Sequence, residues 1–378
     1  MNKAVTENEK LARIKINAFS YMRSDWCGRL INVFGSAENV LKATTQDISQ
    51  NGAVSIETAE KFLSETSKFD ARAELDKVSN AGGSILTAED ENYPESLKDI
   101  PHPPIILYVK GTLKPERVRV AMVGTRRPSR YGIKTATLLS RDLALCKITV
   151  VSGMARGIDS VAHKAVIDLK EITWAVLGTG LGKCYPAENK KLASEIIDNG
   201  GALITEIPFE RGPMAFHFPR RNRIIAGLSY LTVVVEGPIK SGALITAKQA
   251  LEQGKEVLAV PGPIDSPTSE GPNSLIRDGA GIVTSALDIV YHIPLQYKPQ
   301  VSTQELENRD KQNTDVSVGK NLSEDEKAVF NCIGQQCLNL DEISCKLDWS
   351  VPKVSAVLFE LEANSILTCN TGKYEKKI

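Results

Sequence analysis

From residue 116 to about residue 290, short apolar runs alternate with stretches whose apolar side chains recur at helical spacing. The runs are continuous and rich in β-branched residues, as is typical of strands buried on both faces of a parallel sheet. They cover residues 118–123, 148–151, 174–177, 202–204, 231–235 and 256–260, and the main helical stretches between them cover 133–146, 158–169, 189–199 and 244–253. This alternation predicts an α/β fold with a Rossmann-like, doubly wound, mostly parallel sheet.

The chain before this region carries a different pattern. Residues 1–85 predict an all-helical domain, because apolar positions recur near helical spacing until a glycine pair at 82–83 breaks the pattern. Residues 86–115 form a connecting segment whose prolines at 101, 103 and 104 preclude a continuous helix, although 105–109 can form a short strand. We expect the α/β domain, with this segment, to span residues 86–295.

Two further regions follow the α/β domain. Residues 296–320 are polar, have no periodicity and predict a flexible linker. Residues 321–378 predict three helices at 324–333, 340–347 and 353–362, and then a hairpin over 366–374 that turns at Thr371 and Gly372. Three helices and a hairpin are the winged-helix arrangement. This module holds nine acidic and six basic side chains, so it is net negative.

The formal net charge of the chain is zero, so its composition alone does not indicate a nucleic-acid-binding protein. The basic side chains are nevertheless concentrated: residues 114–134 hold seven of them and one acid, and residues 211–223 hold four and no acid. A neutral protein can bind phosphate where its positive charge is gathered in one cleft. The distribution therefore favours an anion-binding cleft in the α/β domain.

Other features restrict the class of protein. No segment approaches the ~18 consecutive apolar residues of a membrane span, and residues 1–13 are too polar for a signal peptide. We therefore expect a cytoplasmic protein with no membrane partner. The seven cysteines are scattered and form no CxxC pair, which favours free thiols over a disulfide framework or a metal site.

The most informative residues follow the predicted strands, because ligands of an open parallel sheet bind beyond the carboxyl ends of its strands. Gly124, Thr125, Arg126 and Arg127 follow the first run. Glycine lets the backbone approach an anion, threonine offers a hydroxyl, and arginine presents a fork of donors to phosphate. The alternative is an ordinary turn with solvated arginines.

A second glycine-rich turn follows the next run, at Ser152 and Gly153. It leads into a helix whose free N–H groups would face an anion. Asp159 could serve the fold instead, as the cap of that helix. We interpret His163 as a packed histidine rather than a base or a ligand, because nothing pairs with it at metal-ligand spacing.

An aromatic and basic segment lies at residues 216–223. Bases can stack on its rings and guanidinium planes while phosphates take the positive charge; the candidates are Phe218, Arg220, Arg221, Asn222 and Arg223. The alternative is a buried pair of phenylalanines that anchors a helix with a solvated arginine face.

A further helix start, at Ser241 and Gly242, is of the kind that binds phosphate. Glu236 ends the strand before it, where it could accept from a base, orient an arginine, or pair with Arg221 or Arg223.

Signs of catalysis are weak. The four histidines are far apart in sequence, and neither a G-x-S-x-G elbow nor a P-loop is present. The glycines at 178, 180 and 182 do not form G-x-G-x-x-G, and they follow the third run rather than the first, so they are poor evidence for NAD or FAD. We expect no catalytic residue, no cofactor and no metal.

At these positions the chain resembles the DNA-processing protein A (DprA/Smf) family. The resemblance rests on VGTRR at 123–127, SGMARGID at 152–159, FPRRNRIIAGLS at 218–229, SGALITA at 241–247 and VPGP at 260–263. YPESLKDIPHPPIILYVKG at 93–111 and GPNSLIRDGA at 271–280 also fit. The resemblance covers residues 90–290 continuously, and the flanks agree loosely with a SAM-like helical domain before it and a winged-helix module after it.

The resemblance implies a non-catalytic protein that binds single-stranded DNA in a positive pocket of the Rossmann-like domain. Such a protein protects incoming DNA and helps to load the RecA recombinase onto strands coated by single-stranded-DNA-binding protein (SSB), during natural transformation and recombination. The resemblance also implies a homodimer formed through that domain. Because the winged-helix module is acidic, we expect it to contact a partner or regulate binding rather than to bind duplex DNA.

Residue by residue, the resemblance divides the pocket into two walls. The phosphate pocket would use Gly124, Thr125 and Arg126, with Ser152 and Gly153 beside them. The second wall would be formed by Phe218, Arg220, Asn222 and Arg223, with Ser241 and Gly242 as a further helix end. We expect Arg126 to contribute most.

Three other functions compete with this interpretation. A nucleotide-processing, phosphoribohydrolase-like enzyme shares glycine-rich strand ends and a phosphate site, but its PGGxGT-type motif is replaced here by GPIKSGALITA at 237–247. An NAD- or FAD-dependent enzyme lacks its fingerprint. A scaffold with a decayed DNA pocket is disfavoured by Arg126 and by the basic cluster at 220–223.

Overall fold

In the computed structural model of the chain, the described residues are 5–20, 24–114, 116–297, 322–333, 338–363, 366–370 and 372–376. The chain divides into two compact units, residues 1–302 and 303–378. Most of the predicted linker, from residue 298 to residue 320, lies outside the described residues, and so does Thr371 of the predicted hairpin turn.

The first unit begins with six helices, as the sequence predicts: α1 (Glu7–Ser20), α2 (Ser24–Phe34), α3 (Ala37–Lys42), α4 (Thr45–Gly52), α5 (Ile56–Lys68) and α6 (Ala71–Asn80). Short polar side chains cap the N-termini of several of these helices. Thr44, for example, forms a capping box with Asp47 at the start of α4. The core of the six helices continues onto Ile106 and Tyr108 at the start of the sheet, so the helices and the sheet pack as one body.

Nine strands form the central sheet: β1 (Gly83–Leu86), β2 (Leu107–Gly111), β3 (Arg119–Val123), β4 (Thr149–Ser152), β5 (Thr173–Val176), β6 (Ala202–Thr205), β7 (Leu231–Val234), β8 (Glu256–Ala259) and β9 (Gly281–Ile282). Their order is β1-β2-β6-β5-β4-β3-β7-β8-β9. The strands from β3 to β9 are parallel, whereas β1 and β2 extend the sheet in antiparallel pairing. The predicted mostly parallel α/β core is confirmed.

Seven helices cover this sheet: α7 (Arg130–Leu145), α8 (Ile158–Ile167), α9 (Lys190–Asp198), α10 (His217–Leu228), α11 (Gly242–Glu252), α12 (Glu270–Arg277) and α13 (Ala286–Tyr291). Three single-turn 3₁₀ helices lie at Glu95–Leu97, Ala187–Asn189 and Leu295–Tyr297. The strand order reverses at β3, where β4 lies on one side and β7 on the other. This reversal opens a crevice at the carboxyl ends of those strands, where open α/β sheets bind ligands.

The second unit is a winged helix, as predicted. It contains α14 (Glu324–Ile333), β10 (Leu338–Asn339), α15 (Leu340–Leu347), α16 (Val351–Ala363), β11 (Leu367–Asn370) and β12 (Lys373–Lys376), with β12 between the other two strands. Its own apolar core includes Val329, Phe330 and Leu358. Across the described parts of both units, no helix is long and apolar enough to cross a membrane.

Candidate nucleic-acid interface

A cleft of about 790 Å³ lies beyond the carboxyl ends of β3 and β7. The turn after β3, the start of α10 and the start of α11 form its walls. Its lining residues are Val123, Gly124, Thr125, Arg126, Arg127, Ala155, Asp159, Tyr185, Pro213, Met214, Ala215, Phe218, Pro219, Arg221, Asn222, Ile225, Pro238, Ser241, Gly242, Ala243, Ile245 and Thr246. The fold therefore brings together three of the four candidate segments, which are far apart in sequence.

The turn after β3 is held by backbone hydrogen bonds on both sides. Thr125 N donates to Glu236 O at 2.7 Å, and Ile158 N donates to Thr125 O at 3.2 Å. Gly124 is required by packing, since a Cβ there would lie 2.4 Å from Ile158 Cγ1. Arg126 and Arg127 leave this fixed turn with exposed side chains. Two exposed cations are thus presented from a turn that backbone hydrogen bonds hold in place.

Arg126 lies against an aromatic wall. Its guanidinium carbon is 5.5 Å from the ring centroid of Phe218, and that ring is 5.4 Å from the ring of Tyr185. Both rings line the cleft, and Tyr185 keeps 38% of its surface exposed. A cation is attracted to the face of an aromatic ring. Both partners can also contact a nucleotide, because the arginine can bind its phosphate and the ring can stack on its base.

Two opposite charges, those of Arg221 and Asp159, are buried at the base of the cleft. Arg221 is 5% exposed and donates to Gly153 O at 2.6 Å and also to Val176 O. Asp159 Oδ2 accepts from Gly153 N at 3.1 Å and from Ala155 N at 3.2 Å. Burial lowers the pKa of Arg221 to about 10, against the charge of Asp159. Burial raises the pKa of Asp159, against the charge of Arg221 and these hydrogen bonds.

Ser152 and Gly153 lie beneath the cleft rather than in its lining. Ser152 is fully buried, and its hydroxyl donates to Met122 O at 2.6 Å. A Cβ on Gly153 would lie 2.5 Å from Arg221 Nη2. The second glycine-rich turn thus shapes the site by holding Arg221, and the ligand-facing role predicted for both residues stays a prediction.

Arg220 and Arg223 are placed away from the cleft lining. Arg223 Nη2 is 2.6 Å from Glu206 Oε2, and Arg220 Nε is 3.9 Å from Glu206 Oε1. Residues three apart share one helix face, so both arginines point towards Glu206. Phe218 and Asn222 are four apart and share the face of α10 that lines the cleft. The predicted wall is therefore divided between two faces of one helix.

The N-terminus of α11 opens onto the cleft. Ser241 caps this helix, its side chain accepting from Leu244 N at 3.4 Å, and exposed Gly242 follows. Asn222 Nδ2 donates to Gly242 O at 3.1 Å and so ties α10 to α11. The first free N–H groups of a helix favour anions.

Two acids have partners other than those considered from the sequence. Glu236 accepts from Ser129 N at 2.9 Å and from the Ser129 hydroxyl, so its partner is the N-cap of α7 and not an arginine. Asp159 does not cap α8, whose N-cap is Gly157 and has no side-chain cap. Both carboxylates instead accept from backbone N–H groups of the turns around the cleft.

His163 is a packed histidine, in agreement with its interpretation from the sequence. It is fully buried, and its Nδ1 lies 2.7 Å from Thr173 Oγ1. Because that hydroxyl donates to Val150 O, Nδ1 carries the proton. Burial and the charge of Arg221 lower the pKa of His163 to about 3, so the ring is neutral at physiological pH.

Comparison with known proteins decides the family. The family model for DNA recombination-mediator protein A matches residues 84–294, and that for the DprA winged helix domain matches 317–363. The chain belongs to the DprA/Smf family. Protein Smf of Escherichia coli K12 is 35% identical over 330 residues, which is 86% of each chain. DNA processing protein DprA of Bacillus subtilis 168 is 42% identical over 215 residues, covering 56% of this chain and 72% of that one.

Solved structures of DprA/Smf proteins agree with the fold. DprA from Streptococcus pneumoniae matches with a TM-score of 0.66 at 30% identity, over 78% of this chain and all of that chain. DNA processing protein A from Helicobacter pylori, described for its single-stranded DNA binding mode, matches with a TM-score of 0.50 at 30% identity. That match covers 55% of this chain and 93% of that one.

The structure adds residues to the cleft of this DprA/Smf chain that were not predicted as site residues. Tyr185 contributes a ring, whereas Met214 and Ile245 contribute exposed apolar surface. Ile245 lies within the SGALITA motif at 241–247, whereas no quoted motif covers Tyr185 or Met214. Among the described residues, no group of three or more His, Cys, Asp or Glu could hold a metal ion, and six cysteines are free thiols.

Proposed function

We propose that this DprA/Smf chain binds single-stranded DNA in the cleft between β3, α10 and α11. The observation that carries the proposal is the exposed Arg126 guanidinium against the Phe218 ring, at the mouth of a cleft with a helix N-terminus opposite. The single-stranded DNA binding mode described for the H. pylori relative supports it.

The chemistry of the cleft suits a single strand better than a duplex. Base faces are accessible only where a strand is unstacked, and aromatic rings bind them without regard to sequence. Tyr185 and Phe218 are adjacent rings in the lining, with Arg126 and Arg127 beside them to neutralise phosphates. We expect little sequence preference, because phosphate and stacking contacts are common to all bases.

The wider role that we propose follows from the family. The chain protects incoming DNA and helps to load RecA onto SSB-coated strands during natural transformation and recombination, as a cytoplasmic homodimer. With RecA and SSB present, it should shorten the delay before RecA filaments form on SSB-coated DNA. Light scattering that finds only monomer at micromolar concentration would count against the homodimer.

We propose no covalent chemistry for the cleft. The alternative is a nucleotide-processing, phosphoribohydrolase-like enzyme, which would release free base from nucleoside monophosphates. Incubating the purified chain with the common nucleoside monophosphates should yield no free base. Detection of released base, together with absence of DNA binding, would favour the enzyme.

We propose a partner-contacting or regulatory role for the winged-helix module. The sequence of α16 holds one basic residue, Lys353, whose Nζ is 2.9 Å from Asp325 and 3.8 Å from the ring centroid of Trp349. The same helix exposes 73% of Phe359. A helix with so little available positive charge suits a protein partner better than a DNA groove.

The deciding experiment is a fluorescence-anisotropy titration with single-stranded and duplex oligonucleotides at several salt concentrations. We expect tighter binding of the single strand, weakening as salt rises. Arg126→Ala should weaken binding to all sequences alike and reduce the salt slope by about 0.7, the value for one phosphate contact on a single strand.

The matched control is Arg141→Ala, which removes an exposed arginine about three turns further along α7 than Arg130. It should leave affinity and slope unchanged. Equal behaviour of the two variants would remove Arg126 from the site, and failure of the wild-type chain to bind either oligonucleotide would overturn the proposed function.

A further inference from the structure

The loop between β6 and α10, residues 206–216, builds one wall of the cleft. Pro213, Met214 and Ala215 of this loop line the cleft directly. Each of these three is exposed, so the wall has little packing of its own. Its position must therefore be set at the ends of the loop.

The N-terminal end of this loop is hydrogen-bonded to the N-terminal helices. Asn17 of α1 donates from Nδ2 to Glu206 O at 2.8 Å. Glu74 of α6 accepts from Phe209 N at 2.7 Å. Asn17 is 1% exposed and Glu74 is 5% exposed. A buried carboxylate that accepts from a backbone N–H is a strong, charge-assisted contact.

The same loop is fixed on its other side by the glycine-rich segment after β5. Gly180 N donates to Arg211 O at 2.9 Å, and Gly182 N donates to Phe209 O at 3.0 Å. A Cβ on Gly180 would lie only 2.0 Å from Pro208 O. Close approach of two backbones explains these glycines, which serve the cleft wall rather than a dinucleotide.

Beyond Phe209 the chain reaches the cleft lining within four residues, at Pro213. His217 N then donates to Met214 O at 3.0 Å as α10 begins. The next residue is Phe218, whose ring Arg126 contacts. Hydrogen bonds at residues 206–211 and a short stretch of chain thus connect Glu74, in the helical layer, to the residues that we place against DNA.

From this path we infer that Asn17 and Glu74 are positioning residues for single-stranded DNA binding. They hold residues 206–209, and through them the wall at 213–218, in the geometry that a strand requires. The inference rests on the proposed function, and it gives the N-terminal helices a part in DNA binding without any contact to DNA.

Two readouts test the inference. In ligand-free protein, Glu74→Ala should speed backbone hydrogen exchange in peptides that cover residues 206–216, because Phe209 N loses its acceptor. In the anisotropy titration the same variant should bind single-stranded DNA roughly fivefold more weakly, the lower end of usual coupling between sites. Glu74→Gln keeps an acceptor oxygen and should restore both readouts.

The matched control is Val40→Ala, which removes buried volume from the same helical core in α3, a helix that supplies neither of the two hydrogen bonds from Asn17 and Glu74 to this loop. It should lower the Tm but leave exchange at 206–216 and DNA affinity unchanged. If Glu74→Ala does not fold, Asn17→Ala removes the other fastening and should give the same two changes.

The outcomes separate the inference from the proposed function. Exchange and affinity in Glu74→Ala that match those in Val40→Ala would overturn the positioning role. If the wild-type chain binds no single-stranded DNA, the proposed function fails, and the inference about DNA binding fails with it. Faster exchange with normal DNA affinity would refute coupling to the site while leaving the proposed function intact.

Discussion

Helix α10 of the α/β domain and helix α16 of the winged-helix module differ in what surrounds their charges. At α10, the buried Arg221 supports a cleft whose exposed arginine, Arg126, lies against a ring. At α16, Lys353 is held by Asp325 and Trp349, and the most exposed large side chain is Phe359. The first arrangement leaves positive charge available to a ligand, whereas the second neutralises it.

A fold that is associated with DNA does not by itself supply a DNA site. The winged helix is a common DNA-binding arrangement, yet its function depends on the side chains of the third helix. The Rossmann-like sheet is shared by many enzymes, yet here its switch point carries arginines and rings. What separates the two regions is the surroundings of a basic side chain: Arg126 is exposed against a ring, whereas Lys353 is bonded to Asp325.

The largest effect should come from breaking the buried pair under the cleft. Arg221→Met leaves Asp159 buried without its countercharge, so we expect the free energy of unfolding to fall by about 3–5 kcal/mol. Lys353→Met in the other module removes a pair that is about half exposed and should cost no more than about 1 kcal/mol. Urea unfolding followed by circular dichroism measures both.

A double variant, Arg221→Met with Asp159→Asn, serves as the control for that experiment. It removes the unpaired charge and should recover part of the lost stability. A loss below about 1 kcal/mol in the single variant would mean that water reaches Asp159 and that the pair is not buried in solution.

A smaller effect should appear in acid, and only in the α/β unit. The pKa of His163 is about 3 in the folded chain and about 6.5 when unfolded. Between these values the unfolded state binds the extra proton, so stability is lost as pH falls through this window. The slope should approach about 1.4 kcal/mol per pH unit for this one group. His163→Gln should flatten the slope.

The winged-helix module is the natural comparison for this pH effect, because residues 303–378 contain no histidine. A thermal melt that resolves the two units should show the acid-sensitive slope between pH 6.5 and pH 4 in the α/β transition alone. An unchanged slope in His163→Gln would mean that other groups, such as the carboxylates, dominate the pH dependence.

The smallest effect should follow removal of the winged-helix module. A chain that ends at residue 302 should bind single-stranded DNA within about twofold of the full chain, because the cleft is complete in the first unit. Its duplex binding should be equally unaffected. A tenfold loss of affinity for either oligonucleotide would show that the acidic module contacts DNA after all.

Much of the sheet could be predicted, because strands buried on both faces must be apolar throughout. The runs that end at residues 123, 151, 177 and 204 each coincide with a strand to within one residue at that end. Strands β1 and β9 gave no comparable signal, since both lie at the edges of the sheet and β9 is only two residues long. Edge strands bury less surface, so they need fewer apolar residues and show no continuous apolar run in the sequence.

The site was only partly predictable. The turn at residues 124–127 was found because glycine and arginine directly after a buried strand indicate a phosphate site, and this pattern involves only residues that are neighbours in the chain. The basic cluster on α10 was not resolved, because Arg220, Arg221 and Arg223 follow one another within a single turn. Helical spacing indicates that Arg220 and Arg223 share a face, but which face meets the cleft depends on where α10 packs.

Three properties follow from the amino-acid sequence alone: the order of strands and helices along the chain, the winged-helix pattern, and the placement of arginine after the first buried strand. These properties depend on residues that are neighbours in the chain. The partners of three acids depend instead on the tertiary fold: Glu206 pairs with Arg223, Glu236 accepts from Ser129, and Glu74 accepts from Phe209, 135 positions away in the chain. Packing determines which group a charge contacts. In the low-dielectric interior, the attraction to the nearest countercharge or hydrogen-bond donor in space is strong, whatever the distance along the chain.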